Sequence, residues 1–501
     1  MWIRTALALM LLPASLCAEE PLSVIEWLGE HPPDATAPVH LEPPVVQSAK
    51  QPEIQISVLA AAAIPVGLVP YDVTGLPLDL WAGSDVDNLA RLIADAPVAR
   101  SPAMQTLLYT LLLTDSVPPD GKAAAETLLL ARIDRLLTLG ATDPAQALAE
   151  QADPTQSAAV FQRWFDATLL TGDEDRGCAT LAQAAYLAPD YATRIFCDAR
   201  RGDWQTAALT LETAHALELL PRAKLDLLDR FLSPDVFEDA PPLPVPADPD
   251  PLTFRLFETI GERLPTASLP RAFATADLRD VAGWKAQIEA AERLTRIGAL
   301  APNQLLGLYT AQRPSASGGV WDRVSALQKL DKAVLARDAD AVTKTLPQAW
   351  RAMRNANLAV PFAQLFADDL AKVALSDPAT RELAWRIRLL SSSYKIAGAS
   401  LPNENPDTRF LAALASGDPT AVAPPNDIAI AISEAFELPV SGTGAIQLSL
   451  GETLLVAIRD FDSGIDGNVG NLTQALAALR ALGLEKTARQ ASLQLMLLGE
   501  L

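Results

Sequence analysis

The side chains able to do chemistry in this chain are few, and their spacing is informative mostly by what it lacks. Histidine titrates near neutral pH and is the commonest proton carrier, yet only His31, His40 and His215 occur. His31 and His40 fall in a proline-rich stretch, while His215 falls inside a helical pattern with packing neighbours. A His-Glu-x-x-His zinc motif is absent from the sequence. A serine or cysteine triad needs a histidine base, and His215 is the only one in the helical part. Ser392-Ser393-Tyr394-Lys395 has a Ser-x-x-Lys spacing without the Ser-x-Asn and Lys-Thr-Gly elements that accompany it in penicillin-interacting enzymes. Asp460 to Asn468 spaces acids like a calcium loop. However, Gly464 stands at a ligand position, Ile465 replaces the turn glycine, and no bidentate glutamate follows. Gly442-Thr443-Gly444 is too short for a nucleotide fingerprint and has no Walker lysine after it. The reading is a chain with no catalytic residue, no cofactor and no metal.

One loop stands out as a candidate ligand or partner site. Arg313, Ser315, Ser317, Gly318, Gly319, Trp321, Asp322 and Arg323 cluster where a helix is expected to start. Backbone amides at a helix start hold anions, and Arg313 or Arg323 can add charge. The plain alternative is a structural loop in which Arg323 pairs with a carboxylate and Trp321 fills a gap between helices. Thr74-Gly75-Leu76-Pro77 with Trp81 is a second conspicuous stretch, either a clamp for the preceding chain or an ordinary turn before a helix.

Compartment and charge bound the partners. Arg4, the apolar run Ala6 to Leu12, the break at Pro13, and Ala18 before Glu19 read as a secretory signal cleaved after residue 18. A lipoprotein reading would acylate Cys17, but Leu16 is bulky for that position. The expected location is the periplasm, and no later segment has the apolar length of a membrane span. Cleavage leaves Cys178 and Cys197, which an oxidising compartment is expected to join. The formal net charge of −21 excludes nucleic acid as a natural partner, because phosphate binding needs clustered Lys and Arg. Partners are expected to be envelope or periplasmic proteins, with the oligomeric state left open.

The elements around these residues read as helices. Ala and Leu dominate long stretches, and both enter helices at little cost. Residues 19–75 read as an extended proline-rich arm with one short alternating run at 53–58. Residues 76–232 read as an N-terminal helical repeat domain, and 233–251 as a proline-rich linker. Residues 252–501 read as a C-terminal helical repeat domain. The fold class is therefore all-α, a helix-turn-helix array of the α-solenoid kind.

The repeat signal is clearest between residues 160 and 221. Gly202-Asp203 ends one helix and caps the next, Ala207 and Ala214 are small residues on one face, and Pro221 closes the unit. Gly172-Asp173, Cys178-Ala179, Ala184 and Pro189 form a weaker copy, offset by close to the roughly 34-residue tetratricopeptide period. This region resembles tetratricopeptide units, although the first helices lack that family's Trp, Gly and Tyr pattern. The chain also resembles uncharacterised exported helical proteins of alphaproteobacteria. The residues behind this are Thr74 to Pro77 with Trp81 and the loop Ser317 to Arg323. The resemblance implies export and brings no activity with it.

The expected function is that of a non-catalytic periplasmic scaffold or adaptor, for instance in assembly of an envelope machine such as a flagellar motor. The alternative is a peptidoglycan enzyme or its superhelical accessory domain, since some lytic transglycosylases carry a long helical domain similar to this one. Ser433-Glu434 reverses the order of their Glu-Ser pair, and no segment is left over for a lysozyme-like domain.

Overall fold

The computed structural model describes residues 64–121, 123–279, 281–439 and 449–499. The signal, the run at 53–58, most of the arm, Cys17, His31, His40 and Gly442 to Gly444 lie outside the described residues. Within the described residues the chain is all-helical, with 24 α-helices and no strand.

The helices are short because the sequence punctuates them often. After the single turn α1 (Tyr71–Thr74) come α2 (Val86–Asp95), α3 (Pro102–Leu113), α4 (Ala124–Leu139), α5 (Thr142–Gln151) and α6 (Ala158–Thr171). Next are α7 (Glu174–Gln183), α8 (Tyr191–Arg200), α9 (Trp204–Ala216), α10 (Arg222–Leu232), α11 (Pro251–Thr259) and α12 (Ala274–Asp277). Then follow α13 (Trp284–Thr295), α14 (Pro302–Thr310), α15 (Val320–Leu335), α16 (Ala339–Arg354), α17 (Ala359–Leu370) and α18 (Pro378–Leu389). The chain continues with α19 (Tyr394–Gly398), α20 (Pro406–Ser416), α21 (Asp427–Glu437), α22 (Leu450–Ile465), α23 (Val469–Ala481) and α24 (Glu485–Leu498).

One start signal recurs. In Asp250-Pro251-Leu252-Thr253, Asp377-Pro378-Ala379-Thr380 and Asn405-Pro406-Asp407-Thr408 the first side chain caps the Thr amide, at 2.6, 2.8 and 2.8 Å. Proline sits where its missing N–H costs nothing. Gly140, Gly172 and Gly417 end helices in the left-handed conformation that glycine adopts freely. Asp203 caps α9 through the Thr206 amide at 3.1 Å. Asp173 does not cap α7, because its carboxylate instead accepts from the Gln146 side chain at 3.1 Å.

Residues 66–69 run against the body. Val66 and Val69 bridge Ser116 and Thr114, and Arg132 holds this segment from α4. The buried Arg132 guanidinium donates to the carbonyls of Leu112, Val66 and Thr114 at 2.7, 2.7 and 3.0 Å. Burial lowers its pKa to about 10, and Asp115 works in the opposite direction.

Consecutive helices pack on one another along most of the chain, and the last helices also pack on the first. α22 lies on α2 and α3, and α24 lies on α3. Arg100 grips Asp462 at 2.8 Å and also pairs with Asp466. The Gln494 side chain accepts the Ala103 amide at 2.9 Å. One hydrophobic cluster therefore runs from Leu76 to Ile297 and resumes from Trp385 to Leu495, while a second spans Ile288 to Leu390 and ends on Leu498. In the proline-rich stretch 233–251 one 3-10 turn, Pro234–Phe237, is followed by a helix-free crossing over 238–250, and Pro251 opens α11. The core runs past it: α11 buries Leu252, Phe254 and Leu256 in the same cluster as Phe196 and Phe231.

Candidate functional site

The loop 311–319 is carried between α14 and α15. Gly318 and Gly319 both have positive φ, 92° and 57°, which is why two glycines stand there. The Gly318 amide donates to Asp322 Oδ1 at 3.0 Å, so the start of α15 already holds a carboxylate of its own. Arg313, Ser315 and Ser317 are exposed. Trp321 turns the other way and meets Trp284 of α13, with ring centroids 5.0 Å apart. Trp284 is itself fixed by its indole N–H, which donates to the Leu308 carbonyl at 2.8 Å.

Arg323 also faces inward. Its guanidinium donates to both oxygens of Glu292 at 2.8 and 2.7 Å. Glu292 is 1 % exposed and accepts as well from the Tyr309 hydroxyl at 2.6 Å and from Arg296 at 2.8 Å. Burial and the adjoining Glu292 push the Tyr309 phenol well above its ordinary range. The charge of Arg323 is thus spent inside the molecule. The eight candidate residues separate into an outward group (Arg313, Ser315, Ser317), a turn (Gly318, Gly319, Asp322) and an inward pair (Trp321, Arg323). Glu292 was missed in the sequence. Its signal is an acid on an apolar helical stripe, four residues after Ile288 and three before Thr295.

A second charged network joins α7, α8 and α11. Buried Glu174 accepts from Arg255 at 2.7 Å and pairs with Arg200 at 3.4 Å. Glu258 takes Arg279 at 2.6 Å, and Arg263 reaches Asp277 at 2.7 Å. Burial works against the charged form of Glu258, but Arg279 and Arg255 outweigh it and hold the carboxyl below its usual range. Asp462 and Asp466, part of the calcium-like stretch, are occupied by Arg100, and α22 continues through Ile465. His215 Nε2 lies 3.0 Å from Asp229, and no serine or cysteine is hydrogen-bonded to that ring among the described residues. Ser392 and Lys395 of the Ser-x-x-Lys spacing are both exposed, and the intervening Ser393 donates to Asp368 at 2.6 Å.

Cys178 of α7 and Cys197 of α8 are joined as a disulfide, with Cα atoms 4.8 Å apart and both side chains buried. Among the described residues no group of three or more His, Cys, Asp or Glu side chains is placed to hold a metal ion. No helix of the described residues is long and apolar enough to cross a membrane. Comparison with protein-family models, with curated proteins and with solved structures returns no match for this chain.

Proposed function

We propose that this protein is a non-catalytic scaffold or adaptor of the periplasm, built from tetratricopeptide-like helix pairs, that binds protein partners in the cell envelope. Exposed apolar side chains on α9 and the turn after it support this reading. α9 packs on α8 before it and α10 after it, through Ala207, Leu211 and Ala214. Trp204, Leu209 and Leu217 remain 53 %, 64 % and 64 % exposed, with Leu219 beyond them. Scattered apolar residues on a surface are ordinary, but several on one helix and its following turn mark a place where another chain packs. The disulfide joins α7 to α8, the helix on which α9 packs.

The test is affinity capture from envelope extract with the mature protein and with a Trp204→Glu, Leu209→Glu variant. Proteins retained by the first and lost by the second support the adaptor. Identical sets from both variants, or release of soluble fragments from purified cell wall by the protein alone, overturn it.

A further inference from the structure

The chain carries 61 acidic and 40 basic residues, so an average cavity in it should contain carboxylates. Two adjoining cavities contain none. The first, about 370 Å3, is lined by Arg100, Arg271, Arg293 and Arg296 together with Gln105 and Asn357. The second, about 350 Å3, shares Gln105, Arg296 and Asn357 with it and extends along α3 past Tyr109. No Asp or Glu lines either cavity.

The four arginines are not equivalent. Arg100 is neutralised by Asp462 and Asp466, while Arg296 shares the single charge of Glu292 with Arg323. Arg271 donates to the Thr138 carbonyl at 3.2 Å, and Arg293 to the carbonyls of Thr266 and Leu269 at 2.9 and 2.6 Å. Neither has a carboxylate partner among the described residues. Arg135 stands close to Arg271, donates to the Ala96 carbonyl, and keeps a buried Nε without a partner. The Tyr109 hydroxyl is also buried and unpartnered among the described residues.

Carbonyl dipoles orient a guanidinium, but they do not cancel its charge. Gathering such cations is unfavourable unless an anion balances them. Burial first, then Arg271 and Arg296, lowers the proton affinity of Arg293; burial first, then Arg271, lowers that of Arg135, with Tyr109 and Asp95 working in the opposite direction. A purely structural use for these arginines is to hold the turn 266–269 and the end of α4. That use explains the carbonyl bonds. It does not explain the absence of a neutralising carboxylate in a protein so rich in them.

We propose that this cavity is a binding site for a small ligand bearing an oxyanion, a carboxylate or a phosphate, held by Arg271 and Arg293. Guanidinium forks match both groups through paired N–H···O bonds. Arg296, Gln105 and Asn357 line the remaining space and suit polar groups on the rest of the ligand. The cavity lies at the small end of the range for ligand pockets, which favours a compact molecule over a polymer segment. This goes beyond the adaptor reading and uses a different part of the molecule.

The experiment is calorimetric titration and thermal unfolding of the mature protein with citrate and with inorganic phosphate, against chloride at equal ionic strength. Saturable binding of either probe below about 1 mM, with a rise in Tm that chloride does not reproduce, is expected. Citrate alone identifies a carboxylate site, phosphate alone a phosphate site, and both a general oxyanion site. Arg271→Gln should weaken binding at least about tenfold, and Arg271→Lys, which keeps the charge but not the fork, should fall between. If Arg271→Gln does not fold, the Arg271→Lys titration decides. Arg163→Gln, which removes a surface cation paired with Asp134, should bind like the parent. Stabilisation that follows ionic strength alone, or binding unchanged in the Arg271 variants, overturns the proposal. Partner capture by the α9 surface should survive Arg271→Gln, so the two readings fail separately.

Discussion

The six-membered ring of Trp81 packs directly on Gly451. A Cβ added to that glycine would lie 2.2 Å from the ring carbons Cε3 and Cζ3, and the Gly451 amide donates to the Leu80 carbonyl at 3.0 Å. The Trp81 indole N–H is taken by Ser116 at 3.0 Å, so the fully buried ring has one fixed orientation. This contact joins the segment before α2 to the start of α22 and closes the chain on itself. Gly451→Ala should therefore destabilise the fold by roughly 1–3 kcal/mol, through overpacking against a ring that cannot retreat. Gly307 lies within α14 with nothing near its missing Cβ. Gly307→Ala should stabilise by roughly 0.4–1 kcal/mol. Urea unfolding of the two variants checks the pair; equal effects would remove the steric argument.

Glu292 holds Arg323, Arg296 and Tyr309 at once. Glu292→Gln keeps the shape and removes the charge, leaving the half-buried Arg323 and Arg296 beside a neutral amide. A loss of about 3–5 kcal/mol is expected, typical of breaking a buried pair from one side. Substituting Arg313, which is exposed, should change stability by less than about 0.5 kcal/mol. Denaturant midpoints decide this, and a mild Glu292→Gln effect would mean that solvent reaches the pair.

How far these features were legible depends on how local their causes are. Helix starts such as Asp377-Pro378-Ala379-Thr380 are written in four consecutive residues, and so is the stop at Gly202-Asp203. The Cys178–Cys197 bridge was readable because one hairpin brings the two together and few thiols compete. The contact of Trp81 with Gly451 was not readable, because nothing in either local sequence names its partner. The same holds for Arg271, Arg293 and Arg296, which become one cavity wall only when the turn after α11, the end of α13 and α3 converge. The loop 313–323 left two readings open, an anion site and a structural loop. Its composition resembles that of an anion site, but the direction of Arg323 is set by a carboxylate on α13.

The bridge between Cys178 and Cys197 closes a sequence separation of 19 residues. In the chain-entropy account this stabilises by about 3 kcal/mol. Thiol labelling of unreduced, denatured protein should find neither cysteine free, and reduction should lower the Tm by several degrees. Two reactive thiols per chain in native material would contradict the bridge.

Asp166 on α6 gives the fold a defined pH dependence. Burial first, then Asp250 and Asp190, raises its pKa to about 7, against partial relief from Arg163 and Lys224. The folded state then keeps a proton that the unfolded chain loses near pH 4. This residue's stabilising contribution is complete below about pH 4 and is lost as pH rises through about 7. Asp166→Asn should flatten that window and raise stability at pH 8 by on the order of a few kcal/mol, with little change at pH 4. Unfolding curves at both pH values check the sign; a variant less stable at pH 8 would show that the carboxylate is better paired than its neighbours imply.

The crossing between α10 and α11 is open to proteolysis. Residues 233–236, 238 and 239 are exposed and lie outside any α-helix, and Val236 is 76 % exposed. The chain is fastened again a little further on. Arg230 donates to the Pro241 carbonyl at 2.6 Å, and the Leu243 amide donates to Glu262 at 2.8 Å. A protease that cuts after acidic residues should therefore act first at Glu238 and Asp239, before the fastened part. The two halves should not then separate. α11 lies on α6 and α10, and the Phe254 ring sits 5.2 Å from Phe273 in a cluster that includes Phe231. The last helices also cover α2 and α3. The nicked protein should elute as one species in native size-exclusion chromatography and fall into two fragments only in denaturant. Fragments that part under native conditions would show that the proline-rich stretch divides two independent helical domains; early cutting elsewhere would show that the crossing is less accessible than its exposed residues indicate.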